Sequence, residues 1–389
     1  MVAQHLPTQC PRVALLYRPG NSPHDAILAY SDRLASALSA TGRVDATFVP
    51  VAPCGRWRRA RPRASKSGRR PTFDVYLLQY NPFSFGRWGF APCLLLDWCR
   101  LRRRGQSRMV VTIHEAYVPL SGWRNTVIGI WQRRQLRELL RSSDAVIATC
   151  RERAEQTEAL GVSVSVSHVP VGSNLEYAVD EVDRVTLSER LRGPRARPVV
   201  ATFGNAHASR LLAHVDLAVK SLAEAFGELV VLNLGAFAPQ LSTPVGVEVV
   251  RPGSLAAGDL SLHLSCADLV LLPFVNGAIT NKTTLMAALQ LGRPVLSTRG
   301  PSTDHILLDP GLCLIDIEDA EGYAATAVAM MRNHVQRDEL GRCARALYER
   351  AFRWDVIAAQ TLDVLDLSAG EALDGHAVGV EVLLDDGIP

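Results

Sequence analysis

The segment "NKTTLMAALQLGRPVLSTRGPSTDH" (281–305) follows the apolar run "DLVLLPF" and places a lysine and two threonines at the mouth of a helix-forming stretch. Gly292-Arg293-Pro294 ends that stretch and leads into another apolar run. Strand, helix and strand make a βαβ unit, and the unpaired amides at the helix start, from Thr283 through Thr284 to Leu285, favour an anion. Lys282 adds a full positive charge beside them. "FGNAHASR" (203–210) repeats the device: Gly204 permits a sharp turn, Asn205 to Ser209 form a loop, and Arg210 is expected in the first turn of the next helix. A cation sits badly at the positive end of a helix dipole unless an anion is there too, and a guanidinium forks onto phosphate oxygens. Two cations at two helix starts point to a diphosphate. The plainer reading of each is a surface cation near a helix start.

His114 ends the strand-like run "RMVVTIH", and Glu115 follows it. The carboxyl ends of parallel strands are where open α/β sheets bind ligands, so His114 is a candidate for catalysis or substrate contact. The plainer alternative is a histidine tying a strand end to a loop. Glu115 is read either as the group that orients His114 or as a general base. No Asp-x-Asp closes a strand in a site-like position, and Asp316 and Glu318 read as a helix cap and a first-turn acid. The eight cysteines show no Cys-x-x-Cys or Cys/His pairing, so no metal is expected, and Cys266 and Cys313 read as small core residues.

These residues need a scaffold, and the 389-residue chain is long enough for two domains. Strands are expected at "RVALLY", "VDATFVPV", "DVYLLQY", "RMVVTIH", "DAVIAT" and "VSVSHVP", with helices between most of them. "HDAILAYSDRLASALSA" aligns Ile27, Leu28, Leu34, Ala35 and Leu38; "TVIGIWQRRQLRELLRSS" aligns Ile130, Trp131, Leu136, Leu139 and Leu140. From Asn174 to Pro198 the pattern dissolves, and "VVATFG" opens a second series of strands and helices. The expected organisation is an N-terminal acceptor-side domain (1–175), a linker (176–197), a donor domain (198–350), a C-terminal helix (351–368) that packs back towards the first domain, and a tail (369–389). The fold class is α/β: two tandem Rossmann-like, doubly wound domains facing a cleft.

Hydrophobic residues make up 48% of the chain, yet no run approaches the roughly 20 apolar residues of a membrane span, and the start lacks the pattern of a secretory signal. A cytoplasmic protein is the expectation. Net charge is only +3, but residues 55–71 carry eight Lys/Arg and no acid, and 100–108 carry five more. Such blocks read first as solvated loops; the alternative is peripheral contact of 56–70 and 100–108 with an anionic membrane surface. No nucleic-acid-binding module accompanies them.

"VVTIHEAYVP", "SSDAVIATC", "HVPVGSN", "FGNAHASR", "ADLVLLPF" with "TTLMAALQLGRPVLST", and "FRWDVIAAQTL" occur in an order that resembles the GT-B glycosyltransferases, more particularly the family 4-like enzymes that use nucleotide-sugar donors. The resemblance runs from Arg12 to about Leu367 and implies glycosyl transfer to an acceptor hydroxyl, retaining and metal-independent, with no cofactor beyond the nucleoside-diphosphate sugar as co-substrate. It implies a diphosphate held near Arg210, Lys282, Thr283 and Thr284, with Gly204 beside them, and His114 near the transferred sugar or acceptor. The loop after the first strand, with Gly20, Asn21, Ser22 and His24, borders the acceptor, which is a small molecule, a glycan or a lipid-linked sugar; these residues equally suit turn and cap roles.

One departure concerns the glutamate pair that such enzymes carry around the last donor-binding helix. Those positions fall on Ile279 and Ala287, neither of which accepts a hydrogen bond through its side chain. Donor nucleotide or sugar recognition is then expected from Asn276, Gly277, Thr280 and Asn281. The alternatives are a catalytically inactive binding or assembly protein on the same fold, or a nucleotide-sugar epimerase.

Overall fold

The computed structural model describes residues 10–20, 25–51, 73–175 and 178–366. Asn21, Ser22 and His24, the basic block 56–70 and the tail 369–389 therefore lie outside the described residues. Two six-stranded parallel sheets carry the chain. The first comprises β1 (Arg12–Tyr17), β2 (Asp45–Pro50), β3 (Val75–Tyr80), β4 (Arg108–Ile113), β5 (Ala145–Ala148) and β6 (Ser165–His168), ordered β2-β1-β3-β4-β5-β6. The second comprises β7 (Val199–Phe203), β8 (Leu229–Leu234), β9 (Val247–Val250), β10 (Leu269–Leu272), β11 (Val295–Arg299) and β12 (Cys313–Asp316), ordered β12-β11-β10-β7-β8-β9. Central strands such as β8 (LVVLNL) are buried along their whole length, as sheets covered on both faces require. Strand order reverses between β1 and β3 and between β7 and β10. Loops leaving those strands open a crevice at each reversal.

The first sheet is covered by α1 (Ala26–Ala40), α2 (Pro82–Phe85), α3 (Pro92–Arg104), α4 (Gly122–Arg141) and α5 (Arg151–Glu158). Then come α6 (Glu181–Arg192), α7 (Leu212–Phe226), α8 (Ala257–Ser265), α9 (Thr283–Gln290), α10 (Ala320–Arg332), α11 (His334–Ala351) and α12 (Trp354–Leu365). Helix α6 occupies part of the stretch expected to be irregular linker. It forms for reasons other than an apolar stripe, since Leu191 is its one buried side chain. Asp180 caps it by accepting from the amides of Val182 and Asp183, acids occupy its first turn and Arg190 and Arg192 its last. Arg192 then forks onto Asp268 at 2.7 and 2.8 Å, tying α6 to the second domain. The basic stretch 100–108, expected as a loop, is helical to Arg104; its Arg100, Arg102 and Arg108 pair with Asp97, Asp144 and Asp366.

The domains meet in a polar seam embedded in a shared apolar core. Asp304, 1% exposed, accepts from the Arg151 amide (2.7 Å) with Oδ1, and from the Thr280 amide (2.6 Å) and hydroxyl (2.8 Å) with Oδ2. His168 on β6 lies 2.9 Å from the same hydroxyl through Nε2. Helix α12 packs beside α1: Trp354 donates to the Ser173 carbonyl and lies against Tyr30, ring centroids 5.4 Å apart. No helix among the described residues is long and apolar enough to cross a membrane.

Asp304→Ala leaves the buried Thr280 amide and the part-buried Arg151 amide without their acceptor, each omission costing about 1–3 kcal/mol, while the Thr280 hydroxyl keeps the Thr149 carbonyl. Thermal and urea unfolding are expected to show a loss of at least about 2 kcal/mol. An unchanged melting temperature contradicts the seam's role.

Candidate functional site

The elements at the second strand-order reversal place Arg210 and the start of α9 together. Arg210 stands one residue ahead of Leu211, the N-cap of α7, rather than in the first turn of that helix, because it forms an isolated antiparallel bridge with Phe274 just beyond β10. The side chain is 8% exposed; Nη1 donates to the Gly204 carbonyl at 3.2 Å, Nη2 donates to the Thr202 hydroxyl, and Nε has no acceptor. Gly204 has φ +123°, and a Cβ there would lie 3.3 Å from Thr284 Cγ2 and 3.4 Å from Arg210 Nη1. Gly204, Arg210 and Thr284 thus share one small volume, in which a side chain at position 204 would be strained.

Lys282 is the N-cap of α9 and offers no capping side chain. Its ammonium makes no hydrogen bond or ion pair among the described residues and lies 5.6 Å from the centre of the Phe274 ring. Burial lowers its pKa, while Glu115 pulls it up and Arg153 pushes it down. Arg210 is lowered by burial as well. Among the described residues neither cation has a carboxylate on it. The amides of Thr283 and Thr284 likewise have no acceptor among the described residues, whereas those of Leu285 and Met286 bond to the Lys282 carbonyl.

Across the cleft, His114 follows β4 and its amide bonds to the Tyr80 carbonyl. Nε2 meets Gln79 Oε1 at 2.9 Å, and the ring packs edge-on to Tyr30 with centroids 5.0 Å apart. With Gln79 accepting, Nε2 carries the proton and Nδ1 keeps a lone pair. Burial lowers the imidazole pKa to about 3, opposed by Asp25, so the ring is neutral near neutrality. Gln79, not Glu115, orients it. Glu115 pairs instead with Arg153 at 2.6 Å.

His114, Glu115, Tyr30 and Asn81 of the first domain and Asn281, Lys282 and Thr283 of the second line one cavity of about 170 Å3. Two of its lining residues carry buried polar atoms without partners, Tyr30 Oη and Asn281 Oδ1. A larger cavity of about 630 Å3, bordered by Asp268, Arg293 and Arg345, lies at the amino ends of β10 and β11, away from the edge where parallel sheets bind ligands.

Several expected contacts fall elsewhere. Thr280 is fully buried and its hydroxyl is engaged in the seam with Asp304, His168 and the Thr149 carbonyl, so it offers nothing to a ligand. Gly277 (φ +90°) packs so tightly on the 300–303 turn that a Cβ would come 2.1 Å from Thr303 Oγ1, which gives it a packing reason. Asn276 is exposed, with its carbonyl accepting from Ser302. The Gly20 amide is bound by Asp25, which also caps α1 through the amides of Ile27 and Leu28. Ile279 and Ala287 are buried, 4% and 1% exposed. Gln79, Tyr30, Asn81 and Arg153 are additions. Only their positions at or just beyond strand ends, or facing one from α1, could have suggested them.

No protein-family model and no curated protein matches the chain. Among solved structures, sucrose-phosphate synthase of Thermosynechococcus elongatus is similar over 93% of this chain and 100% of its own, at 15% identity and TM-score 0.66. HepE of Anabaena, solved with UDP-glucose, aligns over 91% of this chain and 99% of its own, at 14% identity and TM-score 0.59. A glycosyltransferase of Rickettsia africae aligns over 94% and 100%, at 9% identity and TM-score 0.64. The chain has the GT-B fold.

Because His114 in the folded protein binds a proton far less readily than a free imidazole, the unfolded chain takes up that proton first. Stability is therefore lost as pH falls from about 6.5 towards the folded value. Urea titrations are expected to show this loss in the wild type and a smaller one in His114→Gln; an NMR titration of His114 near its ordinary value contradicts the buried neutral ring.

Proposed function

We propose that the chain transfers a glycosyl group from a nucleoside-diphosphate sugar to an acceptor hydroxyl in the cleft between its domains. The observation that carries this reading is a pair of cations with no carboxylate on them among the described residues: Lys282, against the Phe274 ring, and Arg210, which shares the space at Gly204 with Thr284, near the unpaired amides of Thr283 and Thr284. When the anomeric C–O bond breaks, its electron pair goes to the departing β-phosphate oxygen. Cations and amides already aimed at that oxygen lower the barrier without reorganising. His114, neutral and oriented by Gln79, accepts a hydrogen bond from a sugar or acceptor hydroxyl through Nδ1. Glu115, held by Arg153, is a carboxylate lining the same cavity.

The enclosed 170 Å3 is smaller than the roughly 300–1,000 Å3 of a typical whole-ligand pocket. It suits the sugar and diphosphate, with the nucleoside along the more open part of the cleft near Asn276. Asn281 and Tyr30, each with an unpartnered oxygen, replace the absent glutamates as polar contacts to the sugar. A solved neighbour that holds UDP-glucose on the same fold supports a nucleotide-sugar donor. The finer reading is a retaining and metal-independent transfer: the resemblance to family 4-like enzymes supports retention, and fixed cations and amides would stabilise the leaving group without a metal.

Lys282→Met and Arg210→Ala are each expected to lower nucleoside-diphosphate affinity in isothermal titration by about tenfold, and kcat/KM by about a hundredfold, equivalent to ~2.7 kcal/mol. Mass spectrometry of the purified protein with a panel of nucleotide sugars reads donor and product. Unaltered turnover in both variants refutes the site. Binding without transfer or hydrolysis favours a silent binding protein on this fold.

A further inference from the structure

We propose that the first domain carries a docking surface for an anionic lipid bilayer, formed by the segment 82–90 and the first turns of α4. Exposure at Trp123 reaches 83%, at Val127 64%, at Ile130 57%, and at Phe90, Phe83 and Trp88 52–54%. Trp123, Val127 and Ile130 recur at intervals of four and three, so they form one stripe on the outer side of α4. Ile130 thus belongs to the solvent face, not to the core stripe expected from its spacing. The two segments make one surface: Phe90 packs on Trp131 with centroids 4.3 Å apart and the rings tilted at 43°, and Arg124 of α4 lies 6.0 Å from the Trp88 ring.

The presentation is rigid. Trp88 adopts a left-handed backbone (φ 55°), an unfavourable state for a side-chain-bearing residue. Two buried amides hold it there: Gln132 donates to the Trp88 carbonyl at 3.0 Å and accepts from Val118 at 2.8 Å, while Gln135 donates to the Gly89 carbonyl at 3.1 Å and accepts from Ala91 at 2.8 Å. Among the other described residues, exposed large apolar side chains are scattered, apart from the pair Val182 and Val185 on α6.

Charge identifies the occupant. Segments 82–96 and 118–134 contain Arg87, Arg124, Arg133 and Arg134 and no acid. Arg87 and Arg124 lie over Trp88, and Arg133 over Tyr117. Amphipathic indoles flanked by arginines, with no acidic residue, match the headgroup region of an anionic leaflet, where rings seat at the water–hydrocarbon boundary and cations meet lipid phosphates. Both segments follow the carboxyl ends of β3 and β4, the edge that also bears Asn81, His114 and Glu115. On the glycosyl-transfer reading, docking would bring the cleft next to a lipid-borne acceptor; the docking itself does not depend on that reading.

Full-length protein is sedimented with vesicles of phosphatidylcholine mixed with phosphatidylglycerol, and with pure phosphatidylcholine vesicles as control. Wild type is expected to pellet with the mixed vesicles and to show blue-shifted tryptophan emission. Arg87→Glu/Arg124→Glu and Trp123→Ser/Val127→Ser should each reduce partitioning by about tenfold or more, with unchanged melting temperature and nucleotide affinity. The second pair tests the same surface without touching the strained Trp88 turn. Failure of the wild type to pellet overturns the proposal, as does pelleting of both variants at the wild-type level, which would move the contact to other residues such as 52–72. A dimer that Trp123→Ser/Val127→Ser dissociates, with vesicle binding unaltered, overturns it in favour of a second copy. None of these outcomes bears on nucleotide binding, so the two readings fail separately.

Discussion

A half-buried ammonium and a buried guanidinium, neither with a carboxylate on it among the described residues, are the constraint around which this cleft is organised. Desolvating a cation is costly unless an opposite charge or a full set of acceptors replaces the lost water. Lys282 has a ring face, and Arg210 has one hydroxyl and one carbonyl. The amides of Thr283 and Thr284 add positive potential rather than relief. On the proposed function, an anion entering here would meet cations and amides that lack other acceptors, the condition under which a departing diphosphate is stabilised.

That arrangement persists because the chain on either side of it is pinned. Thr280, two residues before Lys282, is held by its amide and hydroxyl to Asp304 and through it to the Arg151 amide of the other domain. Phe274 is bridged to Arg210 at the other end of the same loop, and Thr298 closes it through hydrogen bonds with Phe274. The polar seam therefore does two things at once: it joins the domains, and it fixes the loop from which α9 begins. Glu115 adds a counter-charge to the cleft without reaching Lys282 by a direct ion pair, and its partner Arg153 partly offsets that charge.

Much of the scaffold was legible in the amino-acid pattern, because fully buried parallel strands write continuous apolar runs such as "LVVLNL" and "LVLL". Helix α6 was not legible, since its evidence lies in a cap and in the ordering of charge along it rather than in an apolar face. Ile130 fitted a core stripe by spacing, yet faces solvent; periodicity shows which residues share a face, not what covers it. In the site, Lys282 and Arg210 stood out because charge at a helix start is anomalous. Thr280 looked equally suitable, but Asp304, 24 residues away in sequence, and His168 of the other domain occupy its hydroxyl. Gln79, which sets the tautomer of His114, lies on the adjacent strand, and only strand order reveals that pairing.

Three lysines occur in the whole chain, Lys66, Lys220 and Lys282, which makes the central charge directly observable. Reductive dimethylation with 13C-formaldehyde preserves the positive charge and gives each lysine a resolvable methyl signal, with Lys282→Arg supplying the assignment. The Lys282 signal is predicted to titrate below that of Lys220 in the free protein and to rise in apparent pKa when a nucleoside diphosphate is added. A Lys282 signal that titrates like Lys220 and ignores the nucleotide would contradict the enclosed, anion-seeking cation on which the account stands.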